Sequence, residues 1–243
     1  MTPPEASAAP AMPPHKRPPH KRPPHEMPQH EIDPEFLALP LAALADAALQ
    51  TARDLGVSHA DIRLERLRES SLSFRDAGLE SRSDTATVGF AVRVVHEGTW
   101  GFAAGVDLTP DEAVRVTREA VAMARVARPL NSEPVELADE PVYPNATWVS
   151  AYVTDPFAVD PRERIERVGG LCRRLYAADG VDHVDGHFGA VMENKFYADT
   201  AGTSTTQQRV RVICQIEATR VDPAGGFETM RTIAPPVGRG WEW

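Results

Sequence analysis

Two cysteines, Cys172 and Cys214, are all that the 243 residues contain. Two cannot build a disulfide framework, and both stand in apolar patterns. They read as small buried hydrophobes in a reducing compartment. Positive charge is also short, with 26 Lys and Arg against 35 Asp and Glu and a net charge of -9. Phosphate binding needs concentrated positive charge, so a general nucleic-acid or anionic-membrane binder is excluded. No apolar run reaches the roughly 20 residues that span a bilayer, and the N-terminus lacks the apolar stretch of a signal peptide. These absences predict a soluble, cytoplasmic protein with no nucleic-acid and no membrane partner. The glycosylation sequon at Asn145-Ala146-Thr147 then carries no meaning.

Familiar catalytic signatures are missing too. There is no Walker A sequence, no G-x-G-x-x-G after a strand and no G-x-S-x-G. The hydroxyl-rich TAGTSTT at 200–206 has no adjacent His or Asp to mark a nucleophile. Gln207, Gln208 and Arg209 could touch a peptide, but the simpler reading is a solvated strand start.

Proline is concentrated where structure is least expected. Residues 1–35 hold eleven of the 22 prolines, with PPHKR twice in tandem at 13–22 and PPHEM after it. Such a segment has little to bury, and its prolines break helices and sheet ladders, so a disordered tail is expected over 1–35. His15, His20, His25 and His30 could hold metal loosely, and Lys16, Arg17, Lys21 and Arg22 could touch an anion. Met27 offers an alternative start that leads directly into the body.

Inside the tail, HEMPQH at 25–30 has the His-Glu-x-x-x-His letters of a metal-protease motif. A catalytic zinc needs rigid ligands, usually on a helix, with the Glu beside a metal-bound water. Pro28 lies within the motif, and a helix-interior proline costs about 3 kcal/mol. His25, Glu26 and His30 are therefore read as a chance match.

The body reads as helices separated by groups of short-looped strands. The first helix is expected from about Pro40 to Leu55, with Leu41, Leu44, Ala48, Ala52 and Leu55 on one stripe and Gly56 as its stop. Ala60, Ile62 and Leu64 alternate with Asp61, Arg63 and Glu65; Leu72 and Phe74 precede a turn at Asp76-Ala77-Gly78. VGFAVRVVHEGTWGFAAG at 88–105 reads as a hairpin turning near Glu97-Gly98, which makes His96 and Glu97 ordinary turn residues. Thr109-Pro110-Asp111-Glu112 opens a second helix with a capping box, burying Ala113, Val116, Ala120, Val121 and Ala124. A long connection follows over 129–159, packed through Trp148, Tyr152 and Phe157. Asp160-Pro161-Arg162-Glu163 opens a third helix carrying Ile165, Val168, Cys172 and Leu175, weakened at Gly169-Gly170. Strands are then expected over 182–192, over KFYAD at 195–199 and over QRVRVICQIEA, with 227–230 pairing back after a turn at 222–226. The pattern predicts an α+β or α/β fold with largely antiparallel sheet. Its divisions are the tail 1–35, an α/β domain 36–128, a connection 129–159 and a β-rich continuation 160–243.

A second tempting metal site is HVDGH at 183–187. Val184 and Phe188 give this stretch a period of two, and on a strand residues i and i+4 lie about 13 Å apart. Zn–N bonds are about 2 Å long. A polar sheet face fits His183, Asp185 and His187 better than one shared metal.

Several long stretches resemble one family. LERLRESSLSFRDAGLESRSDTATVGFAVRVVHEGTWGFAAG (64–105), DEAVRVTREAVAMAR (111–125), ENKFYADTAGTSTTQQRVRV (193–212) and FETMRTIAPPVGRGWEW (227–243) resemble the N-terminal region of TldD/PmbA proteins. That family was once described as modulators of DNA gyrase and is now regarded as metallopeptidases. The likeness covers roughly 31–243 and leans towards the TldD branch over the TldE/PmbA one. It implies a fold like the family's N-terminal domain and a heterodimer with a TldE/PmbA-like partner that encloses a cavity and cleaves unfolded or flexible peptides. The family's zinc motif, His-Glu-x-x-x-His with a later cysteine, is expected in a C-terminal half lying beyond Trp243. Cys172 and Cys214 precede that motif and do not match its cysteine, so no catalytic, cofactor or metal residue transfers to this chain. Either the reading frame is truncated or the C-terminal half is separate. The resemblance therefore implies the N-terminal portion of a zinc-dependent peptidase subunit, inactive alone, with a non-catalytic pairing or regulatory module as the alternative. A nucleic-acid role would follow only from the older family name, and the net charge opposes it.

Overall fold

The computed structural model describes residues 30–232 and 234–242. The chain runs α1 (Pro34–Leu37), α2 (Leu41–Asp54), β1 (His59–Arg75), β2 (Gly78–His96), β3 (Thr99–Gly105), α3 (Pro110–Ala127), β4 (Ala146–Val149), α4 (Pro161–Tyr176), β5 (His183–Asp199), β6 (Ser204–Val221) and β7 (Phe227–Arg231). The strands form one sheet in the order β3-β2-β1-β5-β6-β4, with β7 also on β6. Every pairing is antiparallel except the short parallel contact of β4 with β6. The expected α+β class with a largely antiparallel sheet is the one observed. No helix among the described residues is long and apolar enough to cross a membrane.

Local chemistry explains most boundaries. Asp76 and Ala77 have φ of 46° and 67°, and Glu97 and Gly98 have 50° and 71°. Two successive positive φ values make the hairpin turns whose twist matches the flanking strands. Thr109 accepts a hydrogen bond from the Glu112 backbone N–H at 3.2 Å, as its sequence signature predicts. The Glu112 carboxylate does not close the capping box; it pairs with Arg115 at 2.6 Å. The buried stripe of α3 contains all five expected residues, with Thr117 added. Pro40 is the N-cap of α2, one position before the first helical position expected for it.

The strands are longer than expected. The strands expected over 182–192 and 195–199 merge into one, β5, because buried Asn194 continues the ladder between them from His183 to Asp199. The polar stretch 78–88 is the first half of β2, exposed on both faces and paired to β1 except at a bulge at Glu80. Helix α4 runs through Gly169-Gly170 without a break. A Cβ on Gly169 would lie 2.9 Å from the Phe74 ring, so the glycine permits the close seat of α4 on the sheet. In the connection, Tyr152 is buried and Phe157 packs partly, but Trp148 is exposed.

Residues 30–35, expected within the tail, are part of the body. Ile32 is buried beside Phe36 in the core. Asp33 caps α1 and pairs with Arg66 at 3.1 Å and Arg68 at 3.2 Å. The tail prediction for 1–29 lies outside the described residues.

One face of the sheet carries the core. Ala60, Ile62 and Leu64 of β1, with Phe90, Val92 and Val94 of β2, pack under α2 and α3. Leu72, Phe74, Val184, Phe188 and Ala190 pack under α4 with Val168 and Cys172. Met192 and Val210 meet Tyr152 between them. All these strand positions are even-numbered and, by register, share one face.

Candidate functional site

The odd-numbered positions of β1, β5 and β6 form the opposite face, and none of the three apolar clusters reaches it. It presents a ladder of charges across three strands. Lys195 lies 3.1 Å from Glu65 and 3.0 Å from Glu193, and Arg211 lies 2.8 Å from Glu193. Burial works against the charges of Glu193 and Lys195. Their mutual hydrogen bond and the neighbouring Arg211 and Glu65 outweigh it, lowering the Glu193 pKa and raising that of Lys195. Both are ionised at neutral pH. Half-buried Leu67, Val191 and Ile213 lie among these charges. A concavity of about 500 Å³ beside them is bordered by Ser71, Thr85, His187, Val191, Arg211 and Ile213. An antiparallel sheet tolerates one solvated face. This one mixes half-buried apolar groups with a fixed charge pattern.

The metal-like stretches assemble no site within the described residues. Among the described residues, no three His, Cys, Asp or Glu side chains come together as a metal-binding group. His183, Asp185 and His187 lie on β5 with the predicted period of two. His183 Nδ1 is 3.0 Å from Asp76 Oδ2, and Asp185 is 4.0 Å from Arg75. The Val184 backbone N–H and His183 both hydrogen-bond to Asp76 and hold its carboxyl below the usual range. This is a turn clamp between two strand ends. Of HEMPQH, His25 and Glu26 lie outside the described residues. His30 stacks on the Tyr152 ring at 3.6 Å, and its Nε2 donates to the Tyr152 carbonyl at 2.9 Å. His96 ends β2 and its Nε2 is 3.4 Å from Arg125 Nε.

Gln208 departs from its expected role. It is 2% exposed, not solvated. Its Oε1 accepts from Asn194 Nδ2 at 2.7 Å and from the Asp33 backbone N–H at 2.8 Å. Its Nε2 donates to the Glu31 carbonyl at 3.1 Å and to Tyr152 Oη at 3.2 Å. One amide thus ties the incoming chain to the sheet, and it has no capacity left for a peptide. Gln207 stays half-exposed, and Arg209 lies over the Trp148 ring at 5.8 Å. Both cysteines are free, Cys172 buried and Cys214 partly so. Burial raises both thiol pKa values, which leaves neither activated as a nucleophile.

Comparison with known proteins gives the arrangement a context. The family profile described as PmbA/TldA metallopeptidase domain 1 matches residues 60–124, which span β1 to most of α3. No curated protein matches the chain. Solved structures that share the fold include three relatives. One is a candidate modulator of DNA gyrase from Bacteroides thetaiotaomicron, with 16% identity and a TM-score of 0.59. Another carries the same description in Thermotoga maritima, with 17% identity and a TM-score of 0.61. TldE from Thermococcus kodakarensis follows, with 14% identity and a TM-score of 0.54. Each alignment covers 77% of this chain but only 42–43% of the relative, so this chain spans less than half the length of each.

Proposed function

We propose that this chain, which belongs to the PmbA/TldD family through residues 60–124, supplies the N-terminal, cavity-shaping part of a cytoplasmic TldD-type metallopeptidase subunit. The observation that carries this reading is the family match of 60–124, in a fold where none of the apolar clusters among the described residues covers one face of a long sheet. Peptide hydrolysis at a metal needs ligands fixed around one ion and a general base beside its water. The described residues do not fit zinc, since no three candidate ligands converge. In this reading the zinc and its ligands belong to the peptidase domain that completes the subunit. This chain contributes the wall and a contact for a TldE/PmbA-like partner, and the substrates are unfolded or flexible peptides. The ladder Glu65–Lys195–Glu193–Arg211 fits such a contact, because a fixed alternation of sign rejects partners out of register. The two free cysteines agree with a reducing compartment.

The test is to purify the 243-residue chain and measure bound zinc and cleavage of an unstructured peptide. Neither stoichiometric zinc nor turnover is expected. Stoichiometric zinc with turnover abolished by Glu26→Gln would overturn the reading. Light scattering of the chain mixed with a TldE-like protein should show a complex at micromolar concentration, lost in Val191→Asp. Absence of that complex removes the pairing role and leaves only the wall.

A further inference from the structure

A notch of about 390 Å³ lies on the helix side of the sheet, beside the exposed half of β2. Arg68, Arg82, Asp84, Phe157 and Arg164 line it. Arg164 projects from α4 and is only 6% exposed. Its Nη1 donates to Ser70 Oγ at 2.6 Å. Its Nη2 stands 4.0 Å from Asp84, beyond hydrogen-bond reach, and its buried Nε has no acceptor among the described residues. The nearby carboxylates reach it only in part. Asp84 Oδ2 takes both Arg82 hydrogen bonds, the shorter at 2.6 Å, leaving Oδ1 as the oxygen 4.0 Å from Arg164, and Asp33 takes Arg68 at 3.2 Å. Glu69, also at the border, belongs to the odd-numbered positions of β1 and is exposed.

A buried guanidinium whose nearest carboxylate oxygen stands off at 4.0 Å is poorly compensated, and the missing acceptor has a defined shape. Nε and Nη2 share one edge of the guanidinium, the edge a carboxylate engages with two parallel hydrogen bonds. The Phe157 ring, with Arg68 stacked over it at 4.8 Å, supplies an apolar wall of the same notch. We propose that this notch is a carboxylate-binding site anchored by Arg164, for an acid whose carboxylate adjoins an apolar group. Two sources share that chemistry: the C-terminal residue of a peptide and a free aromatic acid. The site does not depend on the peptidase reading, since its donors all belong to the described residues.

The test uses the full chain and three probes: N-acetyl-phenylalanine, its amide and phenylacetate. Calorimetry gives affinity, and the Nε–H NMR signal of Arg164 reports the contact. The N-acetyl acid should bind and shift that signal, and the amide should not. Binding of N-acetyl-phenylalanine alone assigns a peptide end, and equal binding of phenylacetate assigns a small acid. Arg164→Gln should weaken binding about tenfold or more. Asp84→Asn removes the competing negative charge at an exposed position and should tighten binding about threefold. Should Arg164→Gln fail to fold, Asp84→Asn decides the matter alone. No binding of the N-acetyl acid at millimolar concentration, equal binding of acid and amide, or an unchanged or weaker Asp84→Asn overturns the proposal.

Discussion

The two faces of β1 are one residue apart and meet different physics. Ile62, Leu64, Leu72 and Phe74 are at most 3% exposed under helices. Arg63, Glu65, Leu67 and Glu69 between them stay in touch with water. The even-numbered face is sealed, so its residues are fixed by shape. The odd-numbered face is held by ion pairs in partial solvent, which stabilise weakly. Stability is thereby concentrated on one side of a single strand: the helix side holds the fold, and the open side carries its charges in contact with water.

The sharpest way to break that contrast is to add one methyl group to each face. A Cβ on Gly101, on the core side of β3, would lie 1.9 Å from the Ala120 carbonyl oxygen and 2.8 Å from the Ala124 backbone nitrogen. Backbone cannot swing aside, so α3 must lift from the sheet. Gly101→Ala is expected to cost about 3 kcal/mol or more. On the open face, a Cβ on Gly189 meets only the Ile213 side chain, at 3.0 Å, and the His187 ring, at 3.4 Å. Gly189→Ala should change stability by less than about 1 kcal/mol. Urea midpoints of the two variants check this, and equal losses would mean the open face is as tightly packed as the core.

Side-chain truncation gives a smaller version of the same contrast. Leu64 is fully buried and Leu67, three residues on, is half-buried on the open side. Leu64→Ala should cost about 2–5 kcal/mol through lost transfer energy and a cavity. Leu67→Ala should cost under about 1 kcal/mol by itself, but weaken any partner complex formed on that face. Urea unfolding of the free chain and light scattering of the complex separate the two effects. A large loss in the free chain from Leu67→Ala would show that its role is structural.

The sealed face was also the readable one. Helix α3 could be read residue by residue because its apolar period, its Thr109 cap and its Pro110 agree. The alternation 60–64 announced β1 for the same reason, one face being uniformly apolar. Reading failed where buried positions are polar. Asn194 and Gln208 occupy core-facing positions, with Asn194 Nδ2 donating to Gln208 Oε1, so the period-two signal vanished and β5 looked like two strands. Residues 78–88 carry no apolar alternation; their strand form follows from the hairpin turn and pairing with β1, a tertiary effect. The candidate contact face was half legible. Alternation marks which residues are outward, but the ladder through Lys195 depends on which strands become neighbours, and β1 meets β5 across more than a hundred residues. Arg164 gave no signal, since an arginine in a helix rich in arginine looks like surface.

The smallest expected effect tests the ladder itself. Glu193 is held below the usual carboxylate range: burial opposes its charge, and Lys195, Arg211 and Arg209 outweigh that. A group whose folded pKa is depressed adds stability above its unfolded pKa, about 4.3 for Glu, and loses it as pH falls through the folded value. Glu193→Gln should therefore cost at most about 1 kcal/mol at pH 7, because the pairs are partly solvated. The gap between the two proteins should close in acid, once the wild-type carboxylate is protonated too. Lys195 mirrors this at the alkaline end. Burial works against its charge and its bonds to Glu193 and Glu65 win, so its contribution is lost only as pH rises through a folded pKa lifted above the ordinary lysine value. Urea midpoints at pH 7 and pH 3 measure the acid limb. A gap that persists unchanged at pH 3 would show that Glu193 acts by packing, and the open face would then be held by shape, as the sealed face is.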